Sequence, residues 1–311
     1  MSKTWRNLDE LLRGINPAAV ASGEAMVEMD TWKKGGPFGY KFGVASLDKN
    51  MRLFPGQLYI LGGRTGMGKS AVAEHIAISV AMQLVEANDN GMVAYFSAEM
   101  LRQDLAHRYA SMTTGIELNR VRMGRATDEE YIAYEAALRR FGALPIWIDD
   151  SREITVDYME QRMRAVLQDF PVRFMVIDYL GLVMDNSTRL AEERLSNVTR
   201  KARAICGALQ IPGLALAQLN RDSLVGKDKH PSLEHIRGSD AISHHSDVVI
   251  LIHSDDYYLA QNEEIENPKT GVMEFLVAKG RSVPTGICVA GWDATRTKLY
   301  DIEIHRTELD Y

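Results

Sequence analysis

The sequence predicts an α/β fold: a mostly parallel central sheet sandwiched by helices, with a C-terminal antiparallel extension. Three observations carry this. A buried strand, a glycine-rich turn and a helix follow one another across residues 57–85. From Gly43 onward strand-like and helix-like segments alternate, as they do when helical crossovers join parallel strands. Phe174-Met175-Val176-Ile177-Asp178 has no polar face, which suits a strand covered on both sides.

The elements follow in order. Trp5, Leu8, Leu12 and Ile15 fall on one stripe of a short helix that stops before Pro17, and Gly35-Gly36-Pro37 breaks the chain. Residues 1–42 therefore read as an N-terminal arm. Its helix either packs on its own core or reaches a partner subunit, and 43–311 form the main domain. Strands are expected over 57–62, 92–97, 145–149, 174–178, 213–218 and 247–252, because each is a short apolar run. Helices are expected over 70–85, 101–113, 156–170 and 190–209. Thr127-Asp128-Glu129-Glu130 is a capping box that opens another, ending near Phe141. Residues 272–278, 286–290 and 298–304 are strand-like with short turns between them, hence antiparallel.

Composition narrows the class. A chain of 311 residues with 46% apolar and 25% charged content is ordinary for a globular protein with a large core. No apolar run approaches the ~18–20 residues that span a bilayer, and no signal peptide opens the chain. Cys206 and Cys288 are far apart in apolar segments, which suggests neither a disulfide framework nor a zinc site and fits a reducing cytoplasm. A net charge of −6 argues against a broadly basic nucleic-acid coat but leaves room for a narrow basic channel.

The chemistry concentrates in a few phrases. Gly63-Arg64-Thr65-Gly66-Met67-Gly68-Lys69-Ser70 matches the phosphate-cradling P-loop, G-x-x-x-x-G-K-[ST]. Glycines let backbone N–H groups approach phosphates, and the helix N-terminus adds favourable charge. Lys69 is expected at the β/γ-phosphates and the Ser70 hydroxyl on Mg²⁺, so the chain should bind ATP or GTP. Asp178 ends an apolar strand, where a carboxylate can hold Mg²⁺ directly or through water. Glu99 lies just past the strand ending at Ser97, placed to activate a water, although a helix-start glutamate would look the same. Gln218 ends another strand and either senses a γ-phosphate or merely terminates the strand. Lys279-Gly280-Arg281 reads as a turn between strands, either a solvated basic turn or cations for a transferring phosphoryl group. The loop from Asn220 to Gly238 gathers Arg221, Lys227, Lys229, His230 and Arg237, cations suited to nucleic-acid phosphates, though a solvated loop has similar composition.

Together these segments resemble the C-terminal motor domain of DnaB-like replicative helicases, within the RecA-like P-loop ATPases, over roughly residues 43–304. The P-loop with its Met-Gly-Lys ending, Tyr95-Phe96-Ser97-Ala98-Glu99-Met100, Val176-Ile177-Asp178-Tyr179-Leu180 and Leu216-Ala217-Gln218-Leu219-Asn220-Arg221 are each similar to a family motif. So are Ile236-Arg237-Gly238-Ser239 and Val277-Ala278-Lys279-Gly280-Arg281. The resemblance implies catalytic roles for Glu99, Lys69 and Gln218. It also implies that Lys279 and Arg281 enter a neighbouring subunit's nucleotide site. Arg221, Lys227, Lys229, Arg237, Gly238 and Ser239 become the expected contacts to single-stranded DNA. ATP and Mg²⁺ are the implied cofactors. A homo-hexameric ring moving 5′→3′, a primase or helicase loader as partner, and the bacterial cytoplasm are implied with them.

Two departures from the family pattern stand out. Residues 1–40 leave no room for the family's N-terminal helical collar, so a truncated motor is expected, of a kind that would suit a phage or mobile element. Asp240, His244 and His245 occupy the channel-like segment where the family carries a small residue and other polar residues. A recombinase-like filament ATPase and a non-unwinding, ATP-dependent scaffold or loader are the rival readings.

Overall fold

The computed structural model describes residues 38–302 apart from 167–168, 186, 189, 221–228, 237 and 260–269, together with Ser22, 25–27, 29–30 and Lys33. Chain contacts divide it into Met1–Gly39 and Tyr40–Tyr311. The stripe of Trp5, Leu8, Leu12 and Ile15 lies outside the described residues.

Among the described residues, nine strands form one sheet in the second unit: β1 (Leu58–Gly63), β2 (Met92–Ser97), β3 (Ile146–Asp149), β4 (Val172–Asp178), β5 (Gly213–Gln218), β6 (Val248–His253), β7 (Val272–Gly280), β8 (Gly286–Asp293) and β9 (Lys298–Tyr300). Their order is β3-β2-β4-β5-β1-β6-β7-β8-β9. β3 through β6 run parallel, and β7, β8 and β9 continue antiparallel. The predicted architecture holds, with strand ends within a few residues of expectation.

Alternation along each strand explains why the central strands lack a polar face. Tyr59, Leu61, Tyr95, Val176, Leu216 and Ile250 point into one buried core, which Val72, Ile76 and Val80 of the helix Lys69–Glu86 complete. Leu58, Ile60, Phe96, Ile177, Ala215 and Val249 point into the other, closed by Val198, Ala202 and Ile205 of the helix Ala191–Leu209 and by Met159 and Met163 of the helix Val156–Val166. Each side chain is buried whichever way it points, so selection for apolar residues acts at every position.

The predicted capping box is present. Thr127 accepts from the Glu130 N–H, and the Glu130 carboxylate accepts from the Thr127 N–H, opening the helix Asp128–Gly142. The helix predicted to reach Phe170 is described over Val156–Val166, and residues 167–168 lie outside the described residues. Short helices at Leu118–Arg122, Ser239–His245 and Asp255–Leu259 carry too few apolar positions to show a period in the sequence.

Candidate active site

Parallel register gathers the P-loop, Gln218, Glu99 and Asp178 at one edge of the sheet. Gly63 of β1 pairs with Gln218 of β5, and Ser97 of β2 pairs with Asp178 of β4. All four strands end there, so whatever follows them shares one crevice, the usual ligand edge of an open α/β sheet. That crevice is a cavity of about 1260 Å³. One wall carries Thr65 to Ser70, Glu99, Tyr179 and Gln218; the other carries Tyr257 and the β8–β9 turn from Trp292 to Tyr300.

The P-loop conformation follows from its glycines. Gly68 has φ +100° and caps the helix that begins at Lys69, and a Cβ there would stand 2.8 Å from the Trp292 ring. Only glycine meets both conditions without strain. Lys69 reaches back over the loop, its ammonium donating to the Arg64 carbonyl at 2.9 Å. Gln218 donates to the Thr65 hydroxyl at 2.6 Å, and the Tyr257 hydroxyl donates to the Thr65 carbonyl at 2.9 Å. Burial lowers the Lys69 pKa, while the Asp178 and Glu99 carboxylates nearby pull it back up.

Asp178 is 1% exposed. Burial raises its pKa; the Ser70 hydroxyl offsets part of that shift and the Glu99 carboxylate adds to it. Its Oδ2 accepts from the Tyr95 hydroxyl at 3.2 Å, whereas Oδ1 is buried with no hydrogen-bond partner. A bare carboxylate oxygen beside a serine hydroxyl suits a hard divalent cation such as Mg²⁺. Glu99 is exposed at the cavity wall. Its turn is set by the buried Ser97, whose hydroxyl donates to the Met100 carbonyl at 2.7 Å, and by the Ala98 N–H, which donates to the Asp178 carbonyl at 2.8 Å.

Two features of this region escaped the sequence reading. Tyr95 looks like one more apolar strand residue, yet its hydroxyl fixes one Asp178 oxygen. Glu74 lies one helical turn after Ser70, is 3% exposed, and faces the Arg108 guanidinium at 3.4 Å. Burial pushes its pKa to about 8 despite that cation, and its Oε1 has no hydrogen-bond partner. A single carboxylate amid Ala71-Val72-Ala73 and Ile76-Ala77 was the available signal.

Lys279 and Arg281 do not join this cavity, and their setting corrects the expected turn. Lys279 and Gly280 are the last residues of β7, not loop residues, because β7 pairs on to Val248↔Gly280. Lys279 donates to the carbonyls of Ser243 and Ser246. Burial lowers its pKa, and Arg281 beside it lowers it further. Arg281, with a side chain 56% exposed, makes long contacts of 3.4 Å to Asp247 and 3.3 Å to the His244 carbonyl. Since β7 is antiparallel to β6, this group sits at the opposite edge of the sheet from the P-loop.

Of the expected DNA contacts, Arg221, Lys227 and Arg237 lie outside the described residues. Lys229 places its ammonium 5.3 Å from the Tyr258 ring centre. Gly238, at φ +71°, caps the short helix that Ser239 begins. The loop closes behind Gln218, where Leu219 bridges Ile236 and the Asn220 N–H donates to the His235 carbonyl at 2.7 Å.

The family described as DnaB-like helicase C-terminal domain matches residues 39–301. The chain belongs to that family. As a DnaB-like C-terminal domain it is 31% identical over 278 residues to the replicative DNA helicase DnaB of Leifsonia xyli subsp. xyli, covering 89% of this chain and 59% of that protein. It is 30% identical over 280 residues to the DnaB of Geobacillus stearothermophilus, covering 89% and 60% respectively. The chain thus spans about three-fifths of the length of these curated relatives. A solved ATPase domain superposes with TM-score 0.81 at 22% identity, covering 92% of this chain and all of that one. A DnaB-like replicative helicase, solved in work on its interactions with primase, gives 0.79 at 22%, covering 90% and 66%. The RadB recombinase gives only 0.51 at 16%, covering 85% and 100%. The expected mostly parallel α/β fold of this DnaB-like domain is therefore shared with that ATPase domain and with the DnaB-like replicative helicase. Among the described residues, no helix is long and apolar enough to cross a membrane.

Proposed function

We propose that this chain is an ATP-hydrolysing DNA helicase motor acting in DNA replication. One observation carries the reading: Lys69, Ser70, Glu99 and Gln218 line a single cavity at the P-loop, and the buried Asp178 lies behind it against Ser70. The replicative DnaB helicases to which the chain is similar support the choice of activity.

ATP is taken as the nucleotide, its phosphates held by the backbone of Gly63-Arg64-Thr65-Gly66-Met67-Gly68 and the helix N-terminus at Lys69. Ser70 and the bare oxygen of Asp178 would hold Mg²⁺, which when bound neutralises charge across the β- and γ-phosphate oxygens. Lys69 releases the Arg64 carbonyl and turns its ammonium to the same oxygens. Glu99, exposed at the cavity wall, accepts a proton from the water attacking in line with the leaving phosphate. Gln218 holds Thr65 and sits at the root of the loop spanning residues 220–236, so a change at the phosphate reaches that loop through one side chain. Single-stranded DNA is the proposed cargo, contacted by Arg221, Lys227, Lys229, Arg237, Gly238 and Ser239.

Lys279 and Arg281 cannot serve their own P-loop. β6, which separates the two edges, has six residues, roughly 17–20 Å at ~3.3 Å per residue. This supports a homo-hexameric ring in which the pair completes a neighbour's site, with movement 5′→3′. A primase or loader as partner and the cytoplasm as location belong to the same reading. Forked DNA with a labelled strand tests it: displacement should require ATP and Mg²⁺, whereas ATP hydrolysis without displacement would assign the chain to a scaffold or loader.

A further inference from the structure

We infer that His230, His253 and Glu274 form a second ion site, for a first-row transition ion of the zinc class, separate from the Ser70–Asp178 pair. His253 ends β6, and Glu274 stands directly opposite it on β7. Residues paired across antiparallel strands put their side chains on the same face of the sheet. His230 supplies a third donor, its Nε2 2.8 Å from Glu274 Oε2 and its ring stacked on that of His253 at 4.3 Å between centres. One donor atom from each of the three lies within 4.8 Å of the other two.

The state of His253 gives the cluster its direction. Its ring is 1% exposed, and Nε2 meets the Asp255 carboxylate at 3.0 Å. Nε2 therefore donates to that carboxylate. Nδ1 is buried with no hydrogen-bond partner. A buried ring nitrogen without a partner is unfavourable, and a bound ion would supply that partner. An imidazole with one nitrogen held by a carboxylate and the other bare is the arrangement typical of metal-bound histidine.

Two imidazoles and one carboxylate favour zinc and its neighbours over Mg²⁺, which prefers oxygen donors. Three protein ligands leave a fourth position for water, and ligand bonds of ~2.0–2.2 Å require the donors to draw inward. His230 and Glu274 can do so by side-chain rotation, their side chains being 41% and 29% exposed. The bound ion would fasten the returning arm of the loop after Gln218 to β6 and β7. β6 leads directly into Ser254, Asp256 and Tyr257, which line the nucleotide cavity. The inference stands without the helicase reading, because it concerns ion binding alone.

The test uses the full chain, stripped of metal and kept in excess Mg²⁺, titrated with Co²⁺ by absorbance and with Zn²⁺ by calorimetry. One equivalent should bind, with the visible bands of four-coordinate Co²⁺. His230→Ala and Glu274→Gln should each weaken binding tenfold or more while circular dichroism stays unchanged. A double His244→Ala, His245→Ala variant should bind as the parent does. Substoichiometric uptake, unchanged affinity in His230→Ala, or loss of binding in the His244/His245 variant would each overturn the proposal.

Discussion

The two edges of the central sheet differ in how their charged groups are satisfied. At the carboxyl edge of the parallel strands, two carboxylate oxygens, Asp178 Oδ1 and Glu74 Oε1, are buried without partners. At the amino edge, cations crowd together. Arg203 meets Asp247 at 2.5 Å, Arg281 meets the same carboxylate at 3.4 Å, and Lys279 is held by two carbonyls. In the proposed ring, the amino edge of one subunit would present its cations to the carboxyl edge of the next. A sheet keeps its edges a strand-length apart, so one chain cannot bring them together, but two chains can.

The comparison breaks most severely at Lys69. Lys69→Ala should lower ATP turnover by 10³-fold or more, because it removes the cation closest to the phosphates. Steady-state phosphate release checks this, and near-parental turnover would remove the carboxyl edge from the chemistry. Glu99→Gln should lose turnover by about 10²–10⁴-fold yet still bind ATP, since the amide keeps the shape and cannot accept a proton. Equilibrium binding of a fluorescent ATP analogue separates that outcome from a structural role for Glu99.

Smaller effects sharpen the contrast within the carboxyl edge. Tyr95→Phe removes only the hydroxyl that fixes Asp178 Oδ2. The Mg²⁺ concentration giving half-maximal nucleotide binding should rise about tenfold, within the range for lost outer-shell partners, while binding in excess chelator stays the same. An unchanged Mg²⁺ titration would leave Tyr95 a packing residue. Glu74 predicts a pH effect. Its carboxyl sits at about 8 in the folded chain against an ordinary 4.5, so folding favours its proton. That contribution is intact below pH 4.5 and fades as pH rises towards 8, where the unfolded chain ionises and the folded one resists. Glu74→Gln should therefore gain stability relative to the parent between pH 5 and 8.5, on the order of a few kcal/mol. A denaturation midpoint difference that does not widen with pH would remove that account of the buried carboxyl.

Much of this was legible in the sequence, for identifiable reasons. Apolar runs without a polar face revealed β1, β4, β5 and β6, because burial on both faces constrains every residue. The P-loop was legible because its glycines answer a backbone requirement at fixed spacing, as φ +100° at Gly68 illustrates. Asp178 and Gln218 end strands and Glu99 lies just past one, so the parallel register that could be read from the sequence brings all three to one edge. Tyr95 and Glu74 were missed because their roles depend on a tertiary neighbour, and nothing in a strand or helix pattern marks which apolar-looking position faces a carboxylate. Lys279 was read as a loop residue because the cluster of Lys, Gly and Arg hides the last paired residues of β7. The β8–β9 turn as a cavity wall had no local signal, since only the fold brings Trp292 to Gly68.

In the proposed ring a working site takes one edge from each of two subunits, and this is tested by mixing two inactive proteins. Arg281→Ala should abolish most hydrolysis without unfolding, as removal of an arginine finger costs ~10³–10⁵ in rate. Lys69→Ala should be inactive through the other edge. A Lys69→Ala subunit still presents its own Arg281 to the intact P-loop of an Arg281→Ala neighbour, so the mixture should recover a measurable fraction of parental hydrolysis. Recovery that rises and falls with the mixing ratio is the predicted result. A mixture that stays inactive while a fluorescence exchange control shows subunits trading places would contradict it, as would an Arg281→Ala protein that hydrolyses ATP at the parental rate.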